Sequence, residues 1–183
     1  GAFSEAYQIF DLPFLFRDRE HAHQALDSEI GQNALSELGS LGIKGLSNWE
    51  NGFFSMWNRK HAIITPEDVK GMKIRANDNP IHIATYQQLG ASPITMGWSE
   101  VYSAISNGTV DGVAVSIPSM YSAKIQEVAP YLSDSAEFYV TVILMMNQAK
   151  FDSLPADIQT ALLEAADEAK VYQREINGKM TED

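Results

Sequence analysis

The sequence predicts an α/β fold in which parallel strands are joined by crossover helices. Between residues 66 and 115 the patterns alternate in the order strand, helix, strand, helix, strand. Glycine or proline stands where these segments change, which is typical of element boundaries. Over residues 155–180 apolar residues recur at helical spacing and predict one long amphipathic helix. Because strands separated by helices pair in parallel, the chain is expected to contain a parallel or mixed sheet.

Composition and charge limit the classes of partner. The chain has 183 residues, of which 45% are hydrophobic and 20% are charged, as in an ordinary globular domain. Its 13 Lys and Arg residues against 24 Asp and Glu residues give a formal net charge of −11. This balance argues against nucleic-acid and anionic-membrane partners, because both require clustered basic surface. A small anionic ligand stays compatible, because one arginine in a cleft creates a local positive field.

Cysteine content and hydropathy restrict chemistry and location. The sequence contains no cysteine, which excludes disulfides, thiolate catalysis and cysteine-ligated metals. No continuous apolar run reaches the ~18 residues that a membrane-spanning helix needs. No secretory leader pattern begins at Gly1. The protein is therefore predicted to be cytosolic, or to be secreted with its signal peptide already removed.

The first third of the chain predicts a mixture of strands and one helix. Residues 3–10 are apolar and aromatic and predict a strand, which Pro13 separates from a buried turn. Residues 19–38 have apolar positions at three- and four-residue spacings and predict a single helix. The next segments are predicted to be a short strand, a polar turn and an extended crossing segment, over residues 43–47, 48–52 and 53–64.

Residues 72–75 are predicted to be the strand that carries the functional side chain. Apolar Met72 and Ile74 alternate with Lys73 and Arg75, and a polar loop follows. This pattern places Arg75 at a strand end, where a guanidinium can meet a carboxylate. The remaining predicted elements alternate along the chain: helices 80–89, 99–107, 118–128 and 155–180, and strands 92–96, 110–115 and 137–147.

Ordered blocks of this sequence resemble the extracytoplasmic solute receptors of TRAP-type transporters, the DctP-like family. The blocks keep that family's order and spacing and extend over nearly the whole chain: residues 10–16, 65–75, 89–93, 99–104, 108–112 and 154–159. The resemblance implies a two-lobed α/β fold of the type II periplasmic-binding-protein kind, which closes over a small organic acid. It also implies a periplasmic location and delivery of the acid to TRAP membrane permease subunits.

The resemblance further implies how the chain is divided between the two lobes. Residues 1–50 would form part of the first lobe and residues 51–116 the core of the second. Residues 117–154 would return between the lobes, and residues 155–183 would form a long helix that spans them. Members of the family begin with further strands and helices and continue beyond the long helix. The first lobe is therefore expected to be incomplete here.

The resemblance assigns the ligand carboxylate to Arg75, whose planar guanidinium suits bidentate binding. Trp98 falls where the family often presents an aromatic side chain to the ligand, although a half-buried boundary residue is equally compatible. Asp78 could bind a ligand hydroxyl or amine, or it could close an Asx turn. Trp49 and Asn51 flank the predicted turn on the cleft side and are candidate ligand contacts.

Two departures from the family pattern predict a more apolar pocket. Phe54 stands where many members carry a second arginine, and Ala114 and Val115 stand where a Glu-Asn pair is common. Phe54 and Val115 are therefore predicted to form part of the pocket wall. With Arg75 as the remaining strong charge, the expected ligand is a monocarboxylate with an apolar body rather than a dicarboxylate.

No motif predicts catalysis, a cofactor or a metal site. The sequence lacks nucleophile-elbow, phosphate-loop and His-Glu-x-x-His patterns, and its four histidines have no recognisable metal spacing. The leading hypothesis is a receptor without enzymatic activity. Two alternatives stay open: a sensory or interaction module on the same fold, and an enzyme on a binding-protein fold.

Overall fold

The computed structural model describes residues 4–182, which form one sheet with helices packed around it. The strands are β1 (Ile43–Asn58), β2 (Lys73–Ala76), β3 (Ser92–Thr95), β4 (Gly112–Val115) and β5 (Tyr131–Asn147). The α-helices are α1 (Glu5–Gln8), α2 (Arg19–Asp27), α3 (Glu29–Glu37), α4 (Pro80–Gln88), α5 (Val101–Ser106), α6 (Ile117–Ser122), α7 (Gln148–Asp152) and α8 (Ala156–Glu182). Short 3-10 helices cover Ile9–Asp11, Leu38–Leu41, Pro66–Val69, Trp98–Glu100 and Ile125–Glu127.

The sheet is mixed, with strand order β3-β2-β4-β1-β5. β2 pairs in parallel with both β3 and β4, whereas β1 pairs antiparallel with β4 and β5. Helix α4 joins β2 to β3, and helix α5 joins β3 to β4, as parallel pairing requires. The predicted α/β class and its strand–helix alternation are confirmed.

β1 corrects the prediction for residues 43–64. The predicted turn at residues 48–52 is wrong, because β1 runs without interruption from Ile43 to Asn58 and pairs with β5 along its length. Its register shifts between Glu50 and Gly52, so Asn51 is an extra residue that has no partner on β5. Gly52 has a positive φ of 95°, which glycine adopts readily. The polar Asn-Gly pair therefore forms a β-bulge within a long strand.

The N-terminal predictions also need correction. Residues 5–11 are helical rather than extended, and helical spacing places Tyr7 and Phe10 together in the core. The predicted helix over residues 19–38 is two helices, because Ser28 is extended and caps α3 by accepting a hydrogen bond from Ile30 N. The predicted first strand began at Phe3 and the predicted long-helix region ended at Asp183. Both residues lie outside the described part of the chain.

Alternate residues of the central strands pack on opposite faces of the sheet. Ile74 and Ala114 pack with Tyr86 on the α4 side. Val113 packs with Ile105 on the α5 side. A third cluster joins the N-terminal helices to β5 and contains Tyr7, Phe10, Leu26, Leu38 and Tyr139. Together these clusters fix the positions of the strand ends on which the candidate site is built.

Helix α8 packs along β1, and its side chains form hydrogen bonds with backbone groups of that strand. Arg174 donates to Asn48 O over 2.8 Å, and Gln173 exchanges hydrogen bonds with the backbone N and O of Glu50. Arg174 also forms a bidentate ion pair with Asp27. These contacts hold α8 against the strand that contains the bulge. None of the helices in the described part of the chain combines the length and the apolar character that a membrane crossing requires.

Candidate functional site

A pocket of about 290 Å³ opens where the parallel strands end. Strands β1, β2, β4 and β5, the loop after β2, the 3-10 helix that begins at Trp98 and helix α6 contribute its lining residues: Asn51, Phe54, Arg75, Asn77, Trp98, Ala114, Val115, Ser119 and Val140. In open α/β sheets, ligands bind outside the carboxyl ends of the strands, which is where Asn77 and Val115 lie. The volume is close to the lower limit of about 300 Å³ for small-molecule sites and therefore suits a small ligand.

Arg75 is half-buried on β2, and the backbone of the loop after β3 holds its guanidinium in place. Nε and Nη2 both donate to Met96 O, over 3.2 and 3.0 Å. The guanidinium carbon lies 5.7 Å from the ring centre of Trp98, within cation–π range. Arg75 forms no ion pair with any residue between 4 and 182. Burial lowers the pKa of Arg75 below its ordinary value, so an anionic partner would stabilise its charge.

One wall of the pocket is apolar and comes from three neighbouring strands. Phe54 of β1, Ala114 and Val115 of β4, and Val140 of β5 line it, and all but Val140 are buried. Because these side chains also belong to the core clusters on either face of the sheet, the wall is part of the packed interior. A ligand that lies against it must present an apolar surface, since polar groups there would find no partners.

Three uncharged polar side chains form a hydrogen-bonded cluster at another side of the pocket. The Ser116 hydroxyl donates to Asn51 Oδ1 over 2.7 Å, and the Ser119 hydroxyl donates to the same atom over 2.9 Å. The two serine oxygens are 3.1 Å apart. Ser116 is buried directly after β4, whereas Asn51 and Ser119 line the pocket itself. The bulge in β1 is what places Asn51 beside α6.

Asn77 is held by a buried histidine. His82 Nδ1 lies 3.0 Å from Asn77 Oδ1, and the His82 ring stacks on Phe138 with centroids 3.9 Å apart. Burial lowers the pKa of His82 to about 4, so the ring is neutral at neutral pH. An amide oxygen only accepts hydrogen bonds, so Nδ1 carries the proton. This contact leaves the amide nitrogen of Asn77 available to the pocket.

The structure brings most of the predicted site residues into one pocket. Those that line it are Arg75, Trp98, Phe54, Val115 and Asn51. Trp49 does not, because it faces α8 and lines a groove with Tyr172 and Ile176. Asp78 does not either: it is exposed in the bend after β2 and makes no hydrogen bond within the described chain. The amide one position earlier, Asn77, points into the pocket instead.

The sequence interpretation missed Asn77, Ser119 and Val140 as lining residues. A local signal existed for Asn77, because strand alternation after Arg75 brings the next-but-one side chain to the same side. For Ser119 and Val140 no local signal existed. Their positions depend on how α6 and β5 pack against β1, which is a tertiary property.

Comparison with known proteins settles the family. A sequence model of the bacterial extracellular solute-binding proteins of family 7, DctP, matches residues 1–183. This chain belongs to the DctP family. The family assignment that the sequence blocks implied is therefore confirmed.

Relatives of this DctP-family chain include named acid-binding proteins. It is 40% identical over 173 residues to the 2,3-diketo-L-gulonate-binding periplasmic protein YiaO of Escherichia coli, which covers 94% of this chain and 53% of YiaO. It is 36% identical over 166 residues to the C4-dicarboxylate-binding periplasmic protein DctP of Rhodobacter capsulatus, or 91% of this chain and 50% of that protein. The chain thus spans about half the length of these relatives.

Solved structures of TRAP periplasmic solute-binding proteins superpose closely on this DctP-family chain. The protein from a Polaromonas species, bound to D-erythronate, matches with a TM-score of 0.96 and 35% identity over 98% of this chain and 59% of its own. The protein from Shewanella oneidensis, with bound succinate, matches with a TM-score of 0.94 and 28% identity over 99% of this chain and 59% of its own. These matches confirm the α/β fold with a mixed sheet.

Proposed function

We propose that this DctP-family chain is the ligand-binding part of a periplasmic TRAP receptor, which captures a small organic acid and delivers it to membrane permease subunits. The observation that carries the proposal is Arg75. It is a half-buried guanidinium at the end of a parallel strand, and no acidic residue among those described pairs with it. Relatives named for diketogulonate and C4-dicarboxylates support an acid as the ligand.

Arg75 binds the carboxylate with the N–H groups that the protein does not use. A guanidinium has five donors, and Met96 O takes one from Nε and one from Nη2. The N–H groups of Nη1 and the second one of Nη2 stay available, which is the pair that a bidentate carboxylate requires. Because Met96 fixes the plane of the guanidinium, the ligand meets a preorganised site.

The proposed ligand is a monocarboxylate whose carbon skeleton lies against the apolar wall. Within residues 4–182, Arg75 is the one cationic side chain that lines the pocket. A second carboxylate would therefore lose hydration without gaining an ion pair. Phe54, Ala114 and Val115 instead accommodate an apolar surface of the ligand, and Trp98 covers the guanidinium.

Closure of two lobes over the acid completes the proposed mechanism. Residues 1–50 belong to one lobe and residues 51–116 to the other, with residues 117–154 and 155–183 connecting and spanning them. This division stays a prediction. Hinge closure is the general behaviour of two-lobed binding proteins. The role proposed for the chain is binding rather than catalysis, as in the receptors to which it is similar.

Titration calorimetry tests the proposal with a panel of small acids: D-erythronate, galactonate, succinate and 4-hydroxybutanoate. We expect Arg75→Ala to weaken binding by roughly 2–5 kcal/mol, as for the loss of one partner of a buried charged hydrogen bond. Arg75→Lys should recover only part of this loss, because an ammonium cannot bind bidentately. The matched control is Arg59→Ala, which removes a guanidinium that also donates to a backbone carbonyl, Ile105 O, but lies outside the pocket. Absence of binding by every acid, or unchanged affinity in Arg75→Ala, would overturn the proposal.

A further inference from the structure

The hydrogen-bonding groups around Asn51 offer the pocket both free N–H donors and a free oxygen acceptor. An amide oxygen has two lone pairs, and the hydroxyls of Ser116 and Ser119 occupy both of them. The Asn51 amide nitrogen makes no hydrogen bond within residues 4–182 and is not enclosed by protein. Its two N–H groups therefore remain as donors. The Ser119 hydroxyl donates to Asn51, and its oxygen keeps two lone pairs. One lies toward Ser116 Oγ, 3.1 Å away, and the other is available to the pocket.

Such a pair of neighbouring groups complements a hydroxyl. A ligand hydroxyl can accept from Asn51 Nδ2 and donate to Ser119 Oγ at the same time. A carboxylate only accepts and would find no cation here, and an ammonium only donates and would face the N–H groups of Asn51. A methyl group would leave both protein groups without partners after their water is displaced, which costs affinity.

The subsite is rigid because it is held from both sides. Asn51 is the extra residue of the bulge that precedes Gly52, and Asn177 of α8 donates to its backbone oxygen over 3.5 Å. Ser116 is 1% exposed and cannot exchange its partner for water. A site whose side chains are fixed before binding loses little entropy when the ligand arrives.

The subsite lies at a different end of the pocket from Arg75. β4 lies between β2 and β1, so the strands that carry Arg75 and Asn51 are two spacings apart, roughly 10 Å. Asn51 also lies beyond the stretch of β1 that pairs with β4. A ligand that reaches both groups must carry its hydroxyl several carbons away from its carboxylate.

We propose that Asn51, Ser116 and Ser119 form a hydroxyl-recognition subsite, which makes this chain selective for monocarboxylates with a distal hydroxyl. This inference rests on the proposed function, because Arg75 must anchor the carboxylate. Asn51 and Ser119 touch the hydroxyl, and Ser116 orients Asn51. The apolar wall contacts the carbon skeleton between the two ends.

Acids that differ only at the distal carbon test this proposal. At four carbons the set is 4-hydroxybutanoate, butanoate and succinate, and at six carbons it is 6-hydroxyhexanoate, hexanoate and adipate. We expect the hydroxy acid to bind about 10- to 100-fold more tightly than the alkyl acid and the diacid at one length at least, as for a neutral hydrogen bond in a desolvated site. Calorimetry or NMR titration measures the ratios.

Substitutions within the subsite test whether it causes the preference for hydroxy acids over alkyl acids. Ser119→Ala and Asn51→Ala should each lower the ratio of hydroxy-acid to alkyl-acid affinity at least severalfold, and Ser119→Thr, which keeps the hydroxyl, should retain most of it. The control is Ser122→Ala, which removes an exposed hydroxyl from the same helix and should leave the ratio unchanged.

The outcomes separate this inference from the proposed function. Equal binding of hydroxy and alkyl acids, tighter binding of the diacids, or a preference that survives in both Ser119→Ala and Asn51→Ala would overturn the subsite. If those results accompany a large loss in Arg75→Ala, the receptor function stands without the subsite. If no acid binds, or Arg75→Ala has no effect, the proposed function fails and the subsite fails with it.

Discussion

Arg19 Nη1 donates to Glu50 Oε1 over 2.6 Å, and the carboxylate that it meets is 1% exposed. The other carboxylate oxygen lies 2.7 Å from His23 Nε2 and accepts from the Tyr139 hydroxyl over 2.6 Å. Glu50 directly precedes the bulge residue Asn51, so this buried cluster lies underneath the candidate site. It joins α2, β1 and β5 at the point where the pocket requires a fixed backbone.

We expect Glu50→Ala to lower the free energy of unfolding by about 3–5 kcal/mol, because removing one partner of a buried ion pair leaves the other without compensation. Urea denaturation followed by circular dichroism measures the loss. Glu175→Ala is the control, since Glu175 pairs with Lys179 on the exposed surface of α8 and its removal should shift the midpoint little. If the two variants shift the midpoint equally, the Glu50 cluster does not have this stabilising role.

Gly52→Ala should affect stability and ligand affinity together. The φ of 95° at Gly52 is strained for alanine, and an added Cβ would lie 3.2 Å from Asn177 Oδ1. We expect destabilisation of about 1–3 kcal/mol, together with weaker acid binding because the bulge that presents Asn51 moves. Gly71→Ala imposes a similar positive φ of 74° in open space away from the pocket. It should cost stability without changing affinity, and an equal loss of affinity in both variants would contradict the role of the bulge.

The contrast between β2 and β1 explains which parts of the site were predictable. Arg75 follows from local information, because two apolar residues alternate with two basic ones and a polar loop ends the strand. The orientation of Asn51 does not, because one extra residue in β1 changes which face each later side chain occupies, and the register depends on β5, far along the chain. For this reason Trp49, which is predicted beside the cleft together with Asn51, faces α8 instead.

Tertiary packing explains the other differences between the predicted and the observed elements. Tyr7 and Phe10 are compatible with a strand until the cluster around Leu26 and Leu38 requires both on one helical face. A Cβ at Gly31 would lie 2.0 Å from Leu26 O, so the close approach of α3 to α2 depends on glycine. Such contacts join residues that local periodicity cannot relate, whereas the order of strands and helices follows from local patterns alone.

The stability that Glu137 contributes should fall as the pH rises from about 4.5 to 7. It is buried on β5, where Tyr86 OH and the Ser135 hydroxyl donate to its carboxyl group, and burial raises its pKa from 4.5 to about 7. The folded protein therefore holds a proton that the unfolded chain releases between pH 4.5 and 7, so the free energy of unfolding falls over this window. The full effect is about 3 kcal/mol.

Glu137→Gln isolates this contribution, because glutamine keeps the shape and cannot titrate. Urea denaturation at a series of pH values should show that wild type loses stability relative to Glu137→Gln as the pH rises from about 4.5 to 7. A difference between the two proteins that stays constant with pH would show that folding does not raise the pKa of Glu137.

His82 should change the free energy of unfolding with pH in the opposite direction, over a pH range that overlaps that of Glu137. Burial lowers its pKa from 6.5 to about 4. Between pH 4 and 6.5 the unfolded chain therefore binds a proton that the folded protein does not bind. The stability that neutral His82 contributes is present above pH 6.5 and is lost as the pH falls toward 4, by about 3 kcal/mol in all. In wild type the contributions of His82 and Glu137 largely cancel between pH 4.5 and 6.5.

His82→Gln removes the pH-dependent contribution of His82 and leaves that of Glu137. The glutamine amide N–H can still reach toward Asn77. We expect the variant to gain stability relative to wild type on acidification from pH 6.5 to 4.5, whereas Glu137→Gln should lose stability relative to wild type over the same range. The double variant should recover the nearly flat profile of wild type, because the two contributions are removed together. Parallel profiles for all four proteins would mean that neither group changes its proton affinity on folding, and that burial beside Phe138 does not control the charge of the histidine that holds Asn77.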